Sequence, residues 1–225
     1  LNQIADAATG EYLFRMDADD IMFPERLARQ LAFLRAGPGC DLLGTGVVAI
    51  DLEDRPRGER SAPESPVLPL AAFRGDLLYH PTVAGRRDWF RAHRYDPAFR
   101  RSQDFELWTR CAGEATIRNL PEPLLFYREF GSASWGRYRQ HSLLARQIIA
   151  QHGPGQIGAA AGRRMIIRRR AKDVVYLTLH CLGLWTLALR LRNRNLSPAR
   201  MLAYEGMLDR VKATPLPFSP VANDP

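Results

Sequence analysis

Three carboxylates within four residues, Asp17-Ala18-Asp19-Asp20, follow directly on an apolar run from Tyr12 to Met16. Like charges held that close repel one another, and a fold keeps them most readily where a hard cation or a cationic partner sits among them. The run before them, short, apolar and ended by turn-forming residues, reads as a buried strand over 12–16. In open α/β sheets, ligands collect in the crevice beyond the carboxyl ends of the strands. The acidic string therefore marks a metal site, and one suited to phosphates. Asp17 and Asp19, two residues apart at a strand end, can converge on one Mg²⁺ or Mn²⁺ that completes its shell with phosphate and water. Asp20 orients the loop, caps the next helix or completes that shell. The competing reading is a solvated acidic turn. A calcium loop of the EF-hand type is excluded, because Met22 and Ala28 stand where it needs Gly and Glu.

A net charge of +8 over 225 residues suits an anionic partner, without choosing among nucleotide, membrane surface and nucleic acid. Cys40, Cys111 and Cys181 lie far apart, form no zinc spacing, and read as three buried thiols in a reducing compartment. No secretory leader pattern opens the sequence.

Pro24 starts a helix whose apolar stripe is Leu27, Leu31 and Leu34. Residues 42–50 form a β-rich run, and 51–66 a polar loop or ragged hairpin. A short helix covers 68–77. Residues 79–83 are extended, because Pro81 moves His80 out of the α region. Helical turns follow at 88–93 and 104–112, and short strands at 117–120 and 124–128.

Gln103-Asp104 heads one of these helices. A carboxylate there is favoured by the helix dipole and can serve as a general base toward a substrate hydroxyl; the plainer reading is that Asp104 or Ser102 caps the helix. His80, with Arg86 and Arg87 behind it, is a candidate phosphate or acceptor contact, or a structural hydrogen-bonder. Tyr127-Arg128 can reach a diphosphate or simply end a strand. An aspartyl-nucleophile phosphatase would need a helper lysine, and Lys172 and Lys212 are the chain's two lysines, both peripheral in sequence.

Taken in order, Ala8-Thr9-Gly10-Glu11-Tyr12-Leu13, Met16-Asp17-Ala18-Asp19-Asp20, Pro24-Glu25-Arg26-Leu27, His80-Pro81-Thr82-Val83, Gln103-Asp104-Phe105-Glu106-Leu107-Trp108 and Leu124-Leu125-Phe126-Tyr127-Arg128 resemble a family 2 glycosyltransferase of the GT-A fold, from about residue 1 to residue 134. The resemblance implies an α/β fold, a Rossmann-like mixed sheet lacking its first strands, followed by a helical C-terminal extension. It implies an N-terminally truncated domain over 1–150, a basic helical extension over 151–214, and a disordered tail over 215–225. It also implies inverting transfer of one sugar, of hexosyltransferase type, from a nucleotide-sugar donor to a saccharide or lipid-linked acceptor in polysaccharide or glycolipid synthesis. Asp17 and Asp19 would hold Mg²⁺ or Mn²⁺ with the donor diphosphate, Asp20, His80 and Arg128 would border that site, and Asp104 would be the base. Glu129 departs from the pattern, since the family often has His there. The Q-x-x-R-W signature of processive synthases does not occur. No nucleic-acid partner is implied. A non-catalytic membrane-associated module and a metal-dependent phosphohydrolase are the rival readings.

Residues 163–172 hold six basic residues, and 174–189 run sixteen residues without a charge. As a helix those sixteen would reach about 24 Å, short of a bilayer core of roughly 30 Å. An interfacial helix on an anionic membrane surface fits them, at the cytoplasmic face; so does a helix buried on the catalytic domain.

Overall fold

The computed structural model describes residues 1–37, 39–63, 69–75, 77–129, 134–185, 187 and 192–215. Its elements are α1 (Asn2–Ala7), β1 (Tyr12–Phe14), β2 (Ile21–Met22), α2 (Arg26–Ala36), β3 (Leu42–Ile50), β4 (Pro56–Arg60), α3 (Pro69–Ala72), β5 (Ala84–Arg86), α4 (Arg87–Ala92), α5 (Gln103–Arg110), β6 (Ile117–Arg128), α6 (Trp135–Gln156), α7 (Ala159–Cys181) and α8 (Pro198–Ala213). The six strands make one sheet in the order β1-β5-β3-β6-β2, with β4 on the far part of β3. Among the described residues only β3 and β6 run parallel. The expected mixed α/β architecture with a helical C-terminal region is what is found.

β3 is buried along its whole length, which suits its Val and Ile content. Beside it, β6 is one twelve-residue strand where two short ones are expected. Pro121 and Pro123 lack the N–H groups a regular ladder needs, and the pairing slips around Gly46 instead of ending. A Cβ on Gly46 would stand 2.7 Å from the Arg60 carbonyl and 2.8 Å from that of Pro121, so the slip depends on glycine.

The strand before the acidic string is shorter and less buried than its sequence suggests. β1 ends at Phe14, is half-buried, and pairs with β5 at the edge of the sheet. Helix α2 corrects the expected stripe as well. Its buried positions are Arg26, Gln30 and Leu34, while Leu27 is 43 % exposed. The His80 segment is a single 3₁₀ turn, not an extended stretch: Thr82 donates its N–H to the Tyr79 carbonyl at 2.8 Å, and its hydroxyl bonds the same oxygen.

On one side of the sheet, Phe73, Leu77, Trp89, Phe105, Leu107 and Trp108 pack with Ala145, Ile148 and Ile149 of α6. On another, Tyr204 and Leu208 of α8 pack on Phe23, Val48, Leu124 and Phe126. Residue 150 lies within α6, and α6 and α7 are joined through Gly158, whose φ of 83° is one that glycine adopts freely. α7 then folds back along α6. Asp173 fastens the two, accepting hydrogen bonds from Tyr138 Oη (3.0 Å) and Ser142 Oγ (2.5 Å) and pairing with Arg146.

Val174, Val175, Leu177, Leu182, Leu184 and Leu187 are exposed, Val174 to 64 %, so these positions are not a helix buried on the core. Among the described residues no helix is long and apolar enough to cross a membrane. Cys40 and Cys111 are buried as expected, with burial pushing both thiols up to about 11, but Cys181 is exposed. Residues 216–225, on which the expected disordered tail falls, lie outside the described residues.

Candidate active site

The acidic string leaves β1 as a turn closed by the Asp20 N–H on the Asp17 carbonyl, 3.3 Å. The turn sorts the three acids. Asp17 is half-buried and Asp19 exposed, whereas Asp20 is only 5 % exposed. Asp20 Oδ1 accepts the Arg128 N–H at 2.9 Å, and its Oδ2 is buried without a hydrogen bond among the described residues. Burial, aided by Asp19 and Asp17, raises the Asp20 carboxyl to about 7 despite that bond. Asp20 therefore faces the protein, while Asp17 and Asp19 keep more contact with solvent.

Arginines hold this loop from behind. Arg128 donates from Nε to the Asp19 carbonyl (2.9 Å), from Nη1 to the Asp51 carbonyl (2.6 Å) and from Nη2 to Asp54 Oδ1 (2.5 Å). Sequence reasoning aimed this guanidinium at a diphosphate; its side chain is occupied in tying the loop to the β3–β4 turn. Arg26 is 1 % exposed, bonds the Arg15 carbonyl (2.6 Å) and Gln30 Oε1 (3.0 Å), and is pushed down to about 10 by burial. Gln30 spans onward to the carbonyls of Leu43 (3.2 Å) and Thr82 (2.8 Å). One buried pair thus links the strand end, the central strand and the His80 turn.

Arg15 is a residue the sequence reading missed. Its Nη2 meets Asp17 Oδ1 at 2.6 Å, while Nε and Nη1 are buried with no hydrogen bond among the described residues. Unmet donors on a cation beside an acidic loop suit an oxyanion. The available signal was an arginine interrupting an apolar run two residues before the first aspartate.

Asp104 sits in the first turn of α5, which is buried along Phe105 to Thr109 and so is a rigid mount. Ser102 is the N-cap residue but makes no side-chain cap bond; its hydroxyl meets His141 Nδ1 at 3.1 Å. Asp104 Oδ2 instead approaches His80 Nδ1, at 3.8 Å, and His80 Nε2 lies 3.1 Å from Tyr95 Oη. Burial drives His80 down to about 4, although Asp104 and Asp17 both favour its charged form and Arg15 opposes it. At neutral pH the imidazole is uncharged, and its contact with Asp104 is not an ion pair. The His80 imidazole touches Asp104 and also feels the charge of Asp17.

Beyond Asp104 opens a cavity of about 390 Å³, walled by α5, α6, α7 and the end of β6. His141, from α6, lines it near Asp104 and is held below its ordinary pKa by burial. Sequence reasoning did not single out His141.

Among the described residues no three His, Cys, Asp or Glu side chains converge as a metal-binding group. Asp17 and Asp19 supply two hard oxygen donors facing solvent, which suits Mg²⁺ or Mn²⁺ held partly by phosphate better than a closed protein cage.

Known proteins resemble this chain in sequence. EpsE of Bacillus subtilis (strain 168), named as a glycosyltransferase, is 36% identical over 137 residues, 59% of this chain and 49% of that protein. The O-antigen biosynthesis glycosyltransferase WbnJ of Escherichia coli is 30% identical over 133 residues, covering 57% of this chain and 51% of its own length. The amylovoran biosynthesis glycosyltransferase AmsE of Erwinia amylovora is 27% identical over 135, covering 57% and 48%. The chain spans about half the length of the curated relatives it matches. A family match described as "Glycosyl transferase family 2" runs over residues 1–118 and takes in the acidic loop, the His80 turn and Asp104 together, so the chain belongs to that family.

Proposed function

We propose that this chain moves one sugar, with inversion, from a nucleotide-sugar donor to a hydroxyl of a saccharide or lipid-linked acceptor, in the synthesis of a surface polysaccharide or glycolipid. The observation that carries the reading is the 3.8 Å approach of Asp104 to His80, an imidazole that also feels Asp17 and Arg15. An acid suited to proton abstraction and an acidic loop suited to a diphosphate then act electrostatically on one buried imidazole.

In this reading Asp104 accepts the proton of the acceptor hydroxyl. The oxygen forms a bond to the anomeric carbon as the bond to the diphosphate breaks, and the electron pair leaves with the nucleoside diphosphate. Arg15, with donors unmet beside Asp17, meets the charge gathering on that leaving group. Asp17 and Asp19 would hold Mg²⁺ or Mn²⁺, which, when bound, supplies further neutralisation of the diphosphate. Neutral His80 keeps Asp104 and Tyr95 in place without cancelling the carboxylate charge. Arg128 and Asp20 set the shape of the loop.

Residues 1–150 carry this chemistry, and the basic, apolar α7 side rests on an anionic membrane surface at its cytoplasmic face. Exposed Val174, Val175 and Leu177 beside the 163–172 basic run support that placement. The test is a donor panel with Mn²⁺, read by mass spectrometry of acceptor product. Transfer by the chain and its loss in Asp104→Asn, with nucleotide binding retained, is expected; equal turnover by Asp104→Asn removes the reading.

A further inference from the structure

Helix α8 lies outside the family match over 1–118, yet it meets the surroundings of the acidic loop at two places. We infer that α8 braces that loop, and that Lys212 is a positioning residue for metal and diphosphate, acting through Asp54 and Arg128. The part concerning metal rests on the glycosyl-transfer reading above; the mechanical link does not.

The first meeting place is apolar. Tyr204 and Leu208, both buried, pack on Phe23, Val48, Leu124 and Phe126. Phe23 is the third residue after Asp20, and its ring centre lies 5.9 Å from that of Tyr204. It donates its N–H to the Leu124 carbonyl at 3.1 Å, so the chain leaving the loop is pinned between β6 and α8. Buried Glu59 of β4 holds the same helix, accepting from Tyr204 Oη at 3.0 Å and pairing with Arg200.

The second meeting place is ionic. Near the end of α8, Lys212 Nζ stands 2.6 Å from Asp54 Oδ2, while Arg128 Nη2 donates to Asp54 Oδ1 at 2.5 Å. One carboxylate therefore spans two cations. Its residue has a φ of 62°, and among the described residues no other residue but glycine has a positive φ. That backbone costs energy in an L residue, though aspartate bears it better than most. Beyond Asp54, the Arg128 guanidinium carries the link onward. The group is planar and rigid, so Nη2 cannot shift without moving Nε on the Asp19 carbonyl (2.9 Å) and Nη1 on the Asp51 carbonyl (2.6 Å). The Arg128 N–H lies on Asp20 Oδ1 at 2.9 Å, so one residue meets the backbone of Asp19 and the side chain of Asp20.

Stability alone does not account for the Lys212 pair. The lysine is 48 % exposed, and pairs open to water add little to folding. What the pair supplies is direction. With Lys212 in place, Asp54 and then Arg128 each have one orientation, and the loop carrying Asp17 and Asp19 has one shape.

The test is amide hydrogen exchange of the full chain, without metal, at Asp20, Phe23 and Arg128. Lys212→Met is expected to speed exchange there about threefold, with a melting temperature within about 2 °C of the parent's. Lys212→Arg is expected to restore the parent rate. Asp54→Asn cuts the same link at its middle, and asparagine suits the positive φ, so that variant keeps its turn. In the Asp54→Asn background, Lys212→Met is expected to add nothing. Titration with Mn²⁺ alone, read from the paramagnetic resonance of the free ion, is expected to show about threefold weaker binding in Lys212→Met. A parent that takes up no Mn²⁺ removes the metal reading, and exchange then decides the brace by itself. Unchanged exchange at the three amides in folded Lys212→Met, a rise of equal size throughout the sheet, or a fully additive effect in Asp54→Asn overturns the inference. So does faster exchange with an Mn²⁺ affinity equal to the parent's.

Discussion

The acidic loop and the α6–α7 cavity gather side chains of opposite sign, and they hold them in opposite ways. The loop is held by three arginines: Arg15 pairs with Asp17, Arg26 on α2 holds the Arg15 carbonyl, and Arg128 on β6 bonds Asp20 and the Asp19 carbonyl. Charge is answered by charge and by backbone, and one acid, Asp20, is driven toward its neutral form. In the cavity, the cations are steadied in part by rings, and the nearest acid on α7 is consumed by Tyr138, Ser142 and Arg146. The first arrangement builds a shape that presents two chosen carboxylates. The second sets two of its cations against aromatic rings.

The sharpest break in this comparison is at the residue between the two regions. Asp104→Asn keeps size and hydrogen-bonding shape but loses the base, and is expected to cut turnover by about 10²–10⁴ while nucleotide binding with Mn²⁺ stays level, as measured by product formation and by thermal shift. Next in size is Arg128→Ala. It strips the Asp19 and Asp51 carbonyls of that donor and leaves Asp54 with Lys212, and is expected to cost about 2–4 kcal/mol, read from urea unfolding. A loss under about 0.5 kcal/mol, the range of ordinary surface changes, would mean that the loop holds itself.

Smaller, and opposite in sign, is Asp20→Asn. The folded carboxyl sits near 7, above its ordinary 3.8, so its contribution to stability is full below about pH 4 and is lost as pH rises through about 7. Asparagine retains an acceptor for the Arg128 N–H and removes the buried charge. Its melting temperature near neutral and mildly alkaline pH is expected to exceed that of the parent by a few degrees, with a flatter pH profile in calorimetry. His80 runs the other way. Held near 4 against an ordinary 6.5, it supports the fold above that value and withdraws support as pH falls toward 4. The smallest effect is expected from Val175→Asp on the exposed side of α7, a few-fold loss of co-sedimentation with phosphatidylglycerol vesicles with unchanged melting.

The candidate-site features were legible in sequence because they are local. A strand-like run ending in Asp-x-Asp-Asp, a His-Pro turn and an Asp at a helix head each announce themselves within a few residues. Arg26 and Gln30 were not legible. At helical spacing among leucines they read as a solvent face, and what buries them is the set of carbonyls at Arg15, Leu43 and Thr82, contributed from distant parts of the chain. Thr82 made the same difference to the His80 turn: its hydroxyl accepts the Thr45 N–H, and that long-range bond accompanies a tight turn where Pro81 suggested extension. The cavity was invisible for a related reason. Arg137, Arg169, Lys172 and Trp185 form no motif, and they meet only because Gly158 turns α7 back along α6.

The Asp173 fastening has a mechanical consequence. Three donors on successive turns of one helix converge on a single carboxylate of the other, so a change at that one position would undo three contacts at once and loosen the hairpin of rods more than any single change among the donors.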